Sequence, residues 1–589
     1  MPRVTSGVRA FPRESLRGQR LCWLVTVEYA GQTWRVSDAE REVYTADGEL
    51  LRFADGLEPL TVMEEIEIGG ESVSTTSATV EAWLPCDVPR LVALGHPLAR
   101  AWVEVARWIE GSTWEERLPL VAGYPTEAAY SERECPVRLT VRTAIGDDAR
   151  QMPEATAQVD ATTWAQTEYI GAADMGAPYQ IIIGQPGRAA HLTAGHVGGS
   201  KVAWVDKATL FHELVIAGHP VTATQVILST PDDRTGLRFA CATSTDLRGR
   251  QVTIITGDNP ATDTTDSLAA APLDVWYSGL EHSTMVPGSA ILPPVDDDIP
   301  LYVAWRDLTD TAAGGAVSPA GTTIRGAGEA LVYLLGFTSL PVDLAAFASA
   351  APVLDTYKID AAIEARVPVW DWVTQHLIPI LPVSLRATPF GLAPVVWDID
   401  PASTHVVAEL DFDADPRLTP DEEVVHELDP ITNRVAIRYC YDRCGGQHQS
   451  TVTVAPESDG STSSLDVSPL ARVSRDLLAD TDTQDDGIRE RTLDTDVIYD
   501  RGTAFAIAHH ILAREALPRR LYNALVPEDE WAWLQLGDAV ALTYAGHRLS
   551  GQRAILVGRE WSDDGQIGLR FRMYERPTAD QRLTQAGDP

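Results

Sequence analysis

Residues 555–573 read Ile-Leu-Val-Gly-Arg-Glu-Trp-Ser-Asp-Asp-Gly-Gln-Ile-Gly-Leu-Arg-Phe-Arg-Met. Apolar and polar side chains alternate on both sides of Ser-Asp-Asp-Gly, which predicts a strand, a tight turn and a return strand. A stretch of the same kind lies near the other end of the chain. Residues 120–124, Leu-Val-Ala-Gly-Tyr, run through a polar region into residues 136–142, Pro-Val-Arg-Leu-Thr-Val-Arg. Each stretch has a helix-like segment upstream, residues 87–94 in the first case and 500–515 in the second. The pattern predicts two copies of one β-rich unit.

Working outward, residues 20–148 read as strands with one helix. Asp87 stands as its N-cap, and Pro89 is tolerated in its first turn. Residues 101–108 place Ala101, Val103 and Val105 on one face of a strand. From 149 to 325 the chain is rich in Gly, Thr, Asp and Pro, with short strands around 179–184 and on either side of Gly218-His219-Pro220. Loops are expected at 258–267 and 293–300. Near 326 the pattern becomes helical: 328–335 ending at Gly336, 343–350 with Asp343 as N-cap, and 369–377 with Trp370, Val373 and Leu377 on one face. Strands resume at 382–386 and 395–398, then at 406–410 and 435–441. A helix from Gly502 spaces Ala504, Ile507, Ala508 and Ile511 for burial. The expected fold class is a β-rich multidomain α+β protein. Two tube-like β-barrel units, each with one helix, flank a β-rich segment and a small α+β module. The expected domains are 1–148, 149–325, 326–400 and 401–589.

Length and composition agree with several independent cores: 589 residues correspond to about three to five domains. The net charge is −37, and only Lys201, Lys207 and Lys358 are lysines among 47 basic residues. So negative a chain is a poor ligand for nucleic acid or anionic lipid, because that binding rests on cationic contacts to phosphate. The acidity suits solubility in a salty medium, and also a surface past which DNA slides. No run approaches eighteen apolar residues, and the N-terminal residues carry no apolar signal core, so neither a membrane span nor a secretory signal is expected.

Motifs for chemistry are sparse. There is no phosphate-binding glycine loop, HExxH or GxSxG. His191 and His196, the adjacent pair His509-His510, and His282-Ser283 lack the spacing or partners of a catalytic or zinc site. Asp411, Asp413, Asp415 and Glu422 occupy positions 1, 3, 5 and 12 of a calcium-type loop, but Pro416 stands where such a loop needs glycine, so an acidic loop is expected. Cys22, Cys86, Cys135 and Cys241 are scattered. Cys440 and Cys444 are close enough for either a small disulfide or two thiols. No catalytic, cofactor-binding or metal-binding residue is therefore assigned, and the tryptophans, Trp370 and Trp533 among them, are expected in cores.

Three groups of segments resemble the baseplate hub, or tail-tip hub, of long-tailed bacteriophages and gene transfer agents. The first is 179–187, Tyr-Gln-Ile-Ile-Ile-Gly-Gln-Pro-Gly, with 213–221, Glu-Leu-Val-Ile-Ala-Gly-His-Pro-Val, and 224–227, Thr-Gln-Val-Ile. The second is 328–336, Gly-Glu-Ala-Leu-Val-Tyr-Leu-Leu-Gly, with 340–343, 369–373, 380–385 and 391–397. The third is 533–543, Trp-Leu-Gln-Leu-Gly-Asp-Ala-Val-Ala-Leu-Thr, with 556–565. Their order and coexistence carry the likeness. It implies a structural virion protein without catalytic residues: a homotrimeric ring around a DNA channel, made in the host cytoplasm and located at the tail tip. It also implies a distal tail or tail-tube ring on one face, a central tip or fibre on the other, contact with a tape-measure C-terminus, and DNA passing without specific binding. The competing readings are a tail-borne enzyme degrading carbohydrate or peptidoglycan, with paired carboxylates in an aromatic cleft, and a receptor-binding adhesin.

Overall fold

Period-two alternation at both ends of the chain builds one shared sheet rather than two separate ones. A computed structural model describes residues 18–66, 75–84, 86–130, 136–142, 150–164, 175–187, 200–256, 302–310, 324–397, 406–458 and 464–574, with short interruptions inside the later ranges. The expected loops at 258–267 and 293–300 lie outside these residues. Strands β1 (Val62–Glu65), β2 (Thr75–Ala82), β3 (Pro125–Ala129) and β4 (Val137–Arg142) come from the N-terminal end. Strands β5 (Thr419–Glu427), β6 (Arg519–Pro527), β7 (Leu549–Trp561) and β8 (Gln566–Tyr574) come from the C-terminal end. Their order across the sheet is β5-β6-β8-β7-β1-β2-β4-β3, with every neighbour antiparallel.

Each group of four thus runs first, second, fourth, third in chain order, read in the same direction along the sheet. The correspondence extends to what lies between the second and third strands. At the N-terminal end this is the helix Val88–Ala93 and the strand Trp102–Ile109; at the C-terminal end, the helix Glu528–Trp531 and the strand Ala539–Tyr544. Ala539–Tyr544 pairs with the first half of β7, and Trp102–Ile109 pairs with Leu118–Gly123, the strand leading into β3. The two groups of four share one strand order, although Ala539–Tyr544 joins the shared sheet and Trp102–Ile109 does not.

Two details differ from the sequence reading. Residues 120–124 and 136–142 do not pair with each other: Leu118–Gly123 belongs to a six-stranded sheet of its own, while β4 pairs with β2 and β3. The chain changes sheets at Gly123-Tyr124-Pro125, where proline cannot donate to a ladder. The predicted C-terminal helix forms as Arg501–Glu515 and buries Ala504, Ile507, Ala508 and Ile511 completely. Its main contacts, however, are with Arg434–Asp442 and Gln447–Ala455, so it is not the counterpart of residues 87–94. Its position in the repeat is taken by the four-residue helix Glu528–Trp531.

Two large cores follow. One fills the space behind the shared sheet with Trp23, Val80, Leu139, Tyr522, Leu556, Trp561 and Phe571. The other joins the helices Ala327–Leu335, Leu344–Leu354 and Val369–His376 to the sheet carrying Arg501–Glu515. A seven-stranded sheet from residues 200–306 and the six-stranded N-terminal sheet complete the β-rich α+β architecture. Among the described residues no sheet closes on itself; the shared sheet ends at β3 and β5. Asp87 and Asp343, the caps the sequence indicates, accept from the N–H groups of Arg90 and Ala346, and Asp500 likewise accepts from Thr503 N–H. Asp343→Ala should cost about 1 kcal/mol, read as a lower urea midpoint at unchanged slope.

Candidate functional site

The shared sheet has one face in the core and one open. Register places the open-face residues in rows. Met63, Glu560, Gly568, Leu525 and Thr419 form one row across β1, β7, β8, β6 and β5. Glu65, Gly558, Arg570 and Asn523 form the next. On the N-terminal half, Glu81 faces Arg138 and Thr79 faces Thr140. Two arginines of this face are held: Arg570 by Glu65 and Arg138 by Glu81, each at 2.5 Å. Glu560 and Glu127 have no such partner among the described residues. The open face therefore presents carboxylates beyond those that hold these two arginines.

Beneath it lies a buried ionic knot that joins three parts of the chain. Glu64 points inward from β1 and is fully buried. It receives Arg386 from the hairpin Val383–Thr388/Gly391–Val396, Arg559 from β7 at 2.5 Å, and the Trp561 indole N–H at 2.9 Å. Burial alone would raise its pKa, but Arg386 and Arg559 hold the carboxyl below the ordinary range. A second buried pair, Arg107 with Glu528, ties Trp102–Ile109 to the C-terminal repeat, with the Arg107 guanidinium 4.1 Å from the Trp23 ring centre. Sequence reading missed both. The available signal was a charged residue at an inward position of an alternating strand, as in Val62-Met63-Glu64.

The acidic loop resolves into local bonds. Asp411 Oδ1 accepts from the N–H groups of Asp413 and Ala414, each at 3.0 Å, and Asp413 accepts from Ala545 N–H at 2.7 Å. Asp415 holds Arg417, which also reaches Glu530. Glu422 lies on β5. Among the described residues, no group of three His, Cys, Asp or Glu side chains could hold a metal ion. His509 contacts Asp466 at 2.8 Å. Its neighbour His510 has a buried Nε2 without a hydrogen-bond partner, and burial pushes its pKa down to about 3, so it is neutral at physiological pH. Cys440 is buried. His191, His196, His282, Ser283, Cys135 and Cys444 lie outside the described residues. Trp370 and Trp533 are buried, at 7% and 6% exposure. No described helix is long and apolar enough to cross a membrane.

No protein-family model matches the sequence, and no curated protein matches it significantly. The solved structures it is similar to are tail proteins. One from Neisseria meningitidis is 10% identical, with 94% of this chain and 96% of that one covered and a TM-score of 0.33. The 43 kDa tail protein of a Shewanella oneidensis prophage is 8% identical, over 93% and 98% of the two chains, at a TM-score of 0.30. A Listeria monocytogenes prophage tail protein is 6% identical, over 96% and 98%, at 0.29. Scores of this size carry no argument about function, which rests on the chain's own geometry.

Proposed function

We propose that this chain is a structural hub of a phage-type tail, three copies of which close a ring around a DNA channel. The observation that carries the reading is the repeated strand order of the shared sheet. Two four-stranded halves of one sheet, identical in order and direction, lie side by side, as neighbouring units around a ring would. Three chains then supply six such units, matching a sixfold tube on one face while a threefold tip binds the other. A closed ring also needs a heterologous contact repeated by rotation, and the open edges β3 and β5 supply a complementary pair of ends. Edge-to-edge joining would complete the tube-like barrels from several chains. We keep the division at 1–148, 149–325, 326–400 and 401–589 as the proposed organisation, with residues 431–516 inserted between β5 and β6 of the C-terminal unit. The proposed location is the virion tail tip, next to a tube ring, a tip or fibre protein and a tape-measure C-terminus.

Class averages of the purified protein by electron microscopy test this directly: a threefold ring with a central hole is expected, and a monomer at all concentrations and salts would sink it. Acidic residues on both edges, such as Glu127, oppose assembly at low salt, so rings should increase as salt screens them.

In this reading the open face lines the channel. With Arg570 and Arg138 tied to carboxylates, duplex DNA should pass without saturable binding. The double variant Glu65→Gln/Glu81→Gln releases both guanidiniums. It should turn undetectable duplex binding into weak binding that disappears as salt is raised; equal retention of DNA by both proteins on a filter would contradict a channel role for this face. The enzyme reading has its own test. Cleavage of peptidoglycan or polysaccharide by the pure chain, abolished by a single acidic substitution, would replace the hub.

A further inference from the structure

A cavity of about 540 Å³ opens on the C-terminal half of the shared sheet, over β1, β7, β8, β6 and β5. Its shape comes from two glycines. Gly558 sits between Glu65 and Arg570, whose ion pair spans it, and Gly568 sits between Glu560 and Leu525, which leaves a gap flanked by long side chains. The gaps are tight: a Cβ on Gly558 would come 3.1 Å from Arg570 Cβ, and one on Gly568 3.3 Å from Glu560 Cβ. The walls combine two chemistries. Met63 and Leu525 are 49% and 45% exposed despite their size. Beside them stand Glu560, without an ion-pair partner among the described residues, and Asn523, whose Oδ1 is buried with no hydrogen-bond partner. The arginines that reach the cavity are both committed, Arg559 to Glu64 and Arg570 to Glu65.

We propose that this cavity is a docking site for a peptide segment of a partner protein that presents an arginine between aliphatic side chains. The cavity supplies acceptors and no uncommitted donor cation, so its complement is a donor-rich cation. A guanidinium over Gly568 meets the Glu560 carboxylate on one side and, on the other, the Asp421 carboxylate, which lines the cavity and accepts from Asn523 Nδ2 at 3.2 Å. Its methylene stem and its aliphatic neighbours cover Met63 and Leu525, the usual division of labour in a long basic side chain. Arginine suits the site better than lysine because its fork reaches two acceptors in different directions. The site goes beyond the hub reading and needs only the sheet, so peptide binding and ring formation can fail independently.

The test uses the purified full chain and an acetylated, amidated pentapeptide Ala-Leu-Arg-Leu-Ala, titrated by calorimetry, with the same peptide carrying citrulline as the neutral control. Saturable binding is expected, at least tenfold weaker for citrulline and about tenfold weaker with Glu560→Gln. Met63→Lys places a tethered ammonium directly opposite Glu560 and should abolish binding while leaving the fold intact, since both positions are exposed. Absence of peptide binding, or equal binding of the arginine and citrulline peptides, overturns the proposal. So does dissociation of an oligomer by the peptide, which would make a second copy of this chain the occupant.

Discussion

Replacing Glu64 by alanine should destabilise the junction of the two end units by about 3–5 kcal/mol, read as a loss of midpoint in chemical denaturation. The size follows from what remains. Arg386 and Arg559, at 5% and 3% side-chain exposure, would face each other without the carboxylate that both now contact. The Trp561 N–H would lose its acceptor as well. Glu64→Gln separates the contributions, because it keeps an acceptor for the indole and removes only the charge. It should fall between the wild type and alanine. Replacing all three charged residues together by methionine should recover much of the loss, since an apolar core of similar volume avoids burying unpaired charge. A Glu64→Ala protein within 1 kcal/mol of wild type would show that the knot is solvated or otherwise satisfied.

The same group fixes a pH dependence. The folded-state pKa of Glu64 lies below its unfolded value, so more protons bind in the unfolded state as pH falls. Its contribution is complete above the unfolded carboxylate value of about 4.3 and is lost as pH drops through the lowered folded value. Acid unfolding of the wild type should therefore be steeper below about pH 4 than that of the triple methionine variant. Parallel acid profiles for the two proteins would remove the knot from the acid response.

What the sequence disclosed and what it hid divide along a physical line. Local signals were legible. Asp87 and Asp343 cap helices because a carboxylate before an amphipathic run has few other uses. Alternation also located β4 and the closing hairpin of β7 and β8. Partner choice was not legible, because a strand's pattern records which face is buried and not which strand lies beside it. Hence residues 120–124 were matched with 136–142, although Leu118–Gly123 pairs with Trp102–Ile109. Arg501–Glu515 lies upstream of the closing hairpin in sequence yet packs chiefly on another sheet, because its apolar stripe fits any sheet. The repeat was visible as similarity, but its proof, the order first-second-fourth-third on both sides, exists only in the pairing. The open-face cavity was hidden more deeply, since Gly558 and Gly568 read as ordinary strand glycines until the register sets them between Arg570, Glu560 and Leu525.

Trp370→Ala should cost roughly 3–5 kcal/mol, and it tests the part of the fold most readable in advance. Trp370, Val373 and Leu377 fall on one side of the helix Val369–His376, and all three are buried in the second core. Truncation leaves a cavity the size of an indole, bordered by a helix that cannot move inward, because Trp372 on its other side is also buried and stacks on His376 with ring centres 4.8 Å apart. A helix held on two sides cannot collapse into the space, so the cavity contribution adds to the transfer contribution. Trp102 provides the contrast: it is 36% exposed and packs edge-on against Tyr124, itself 59% exposed. Its alanine variant should cost about 1 kcal/mol. Denaturation of the two variants side by side therefore separates anchor from surface. If Trp370→Ala lost no more than Trp102→Ala, the helix would have to be free to repack, and the second core would not be the rigid support on which Arg386 reaches Glu64.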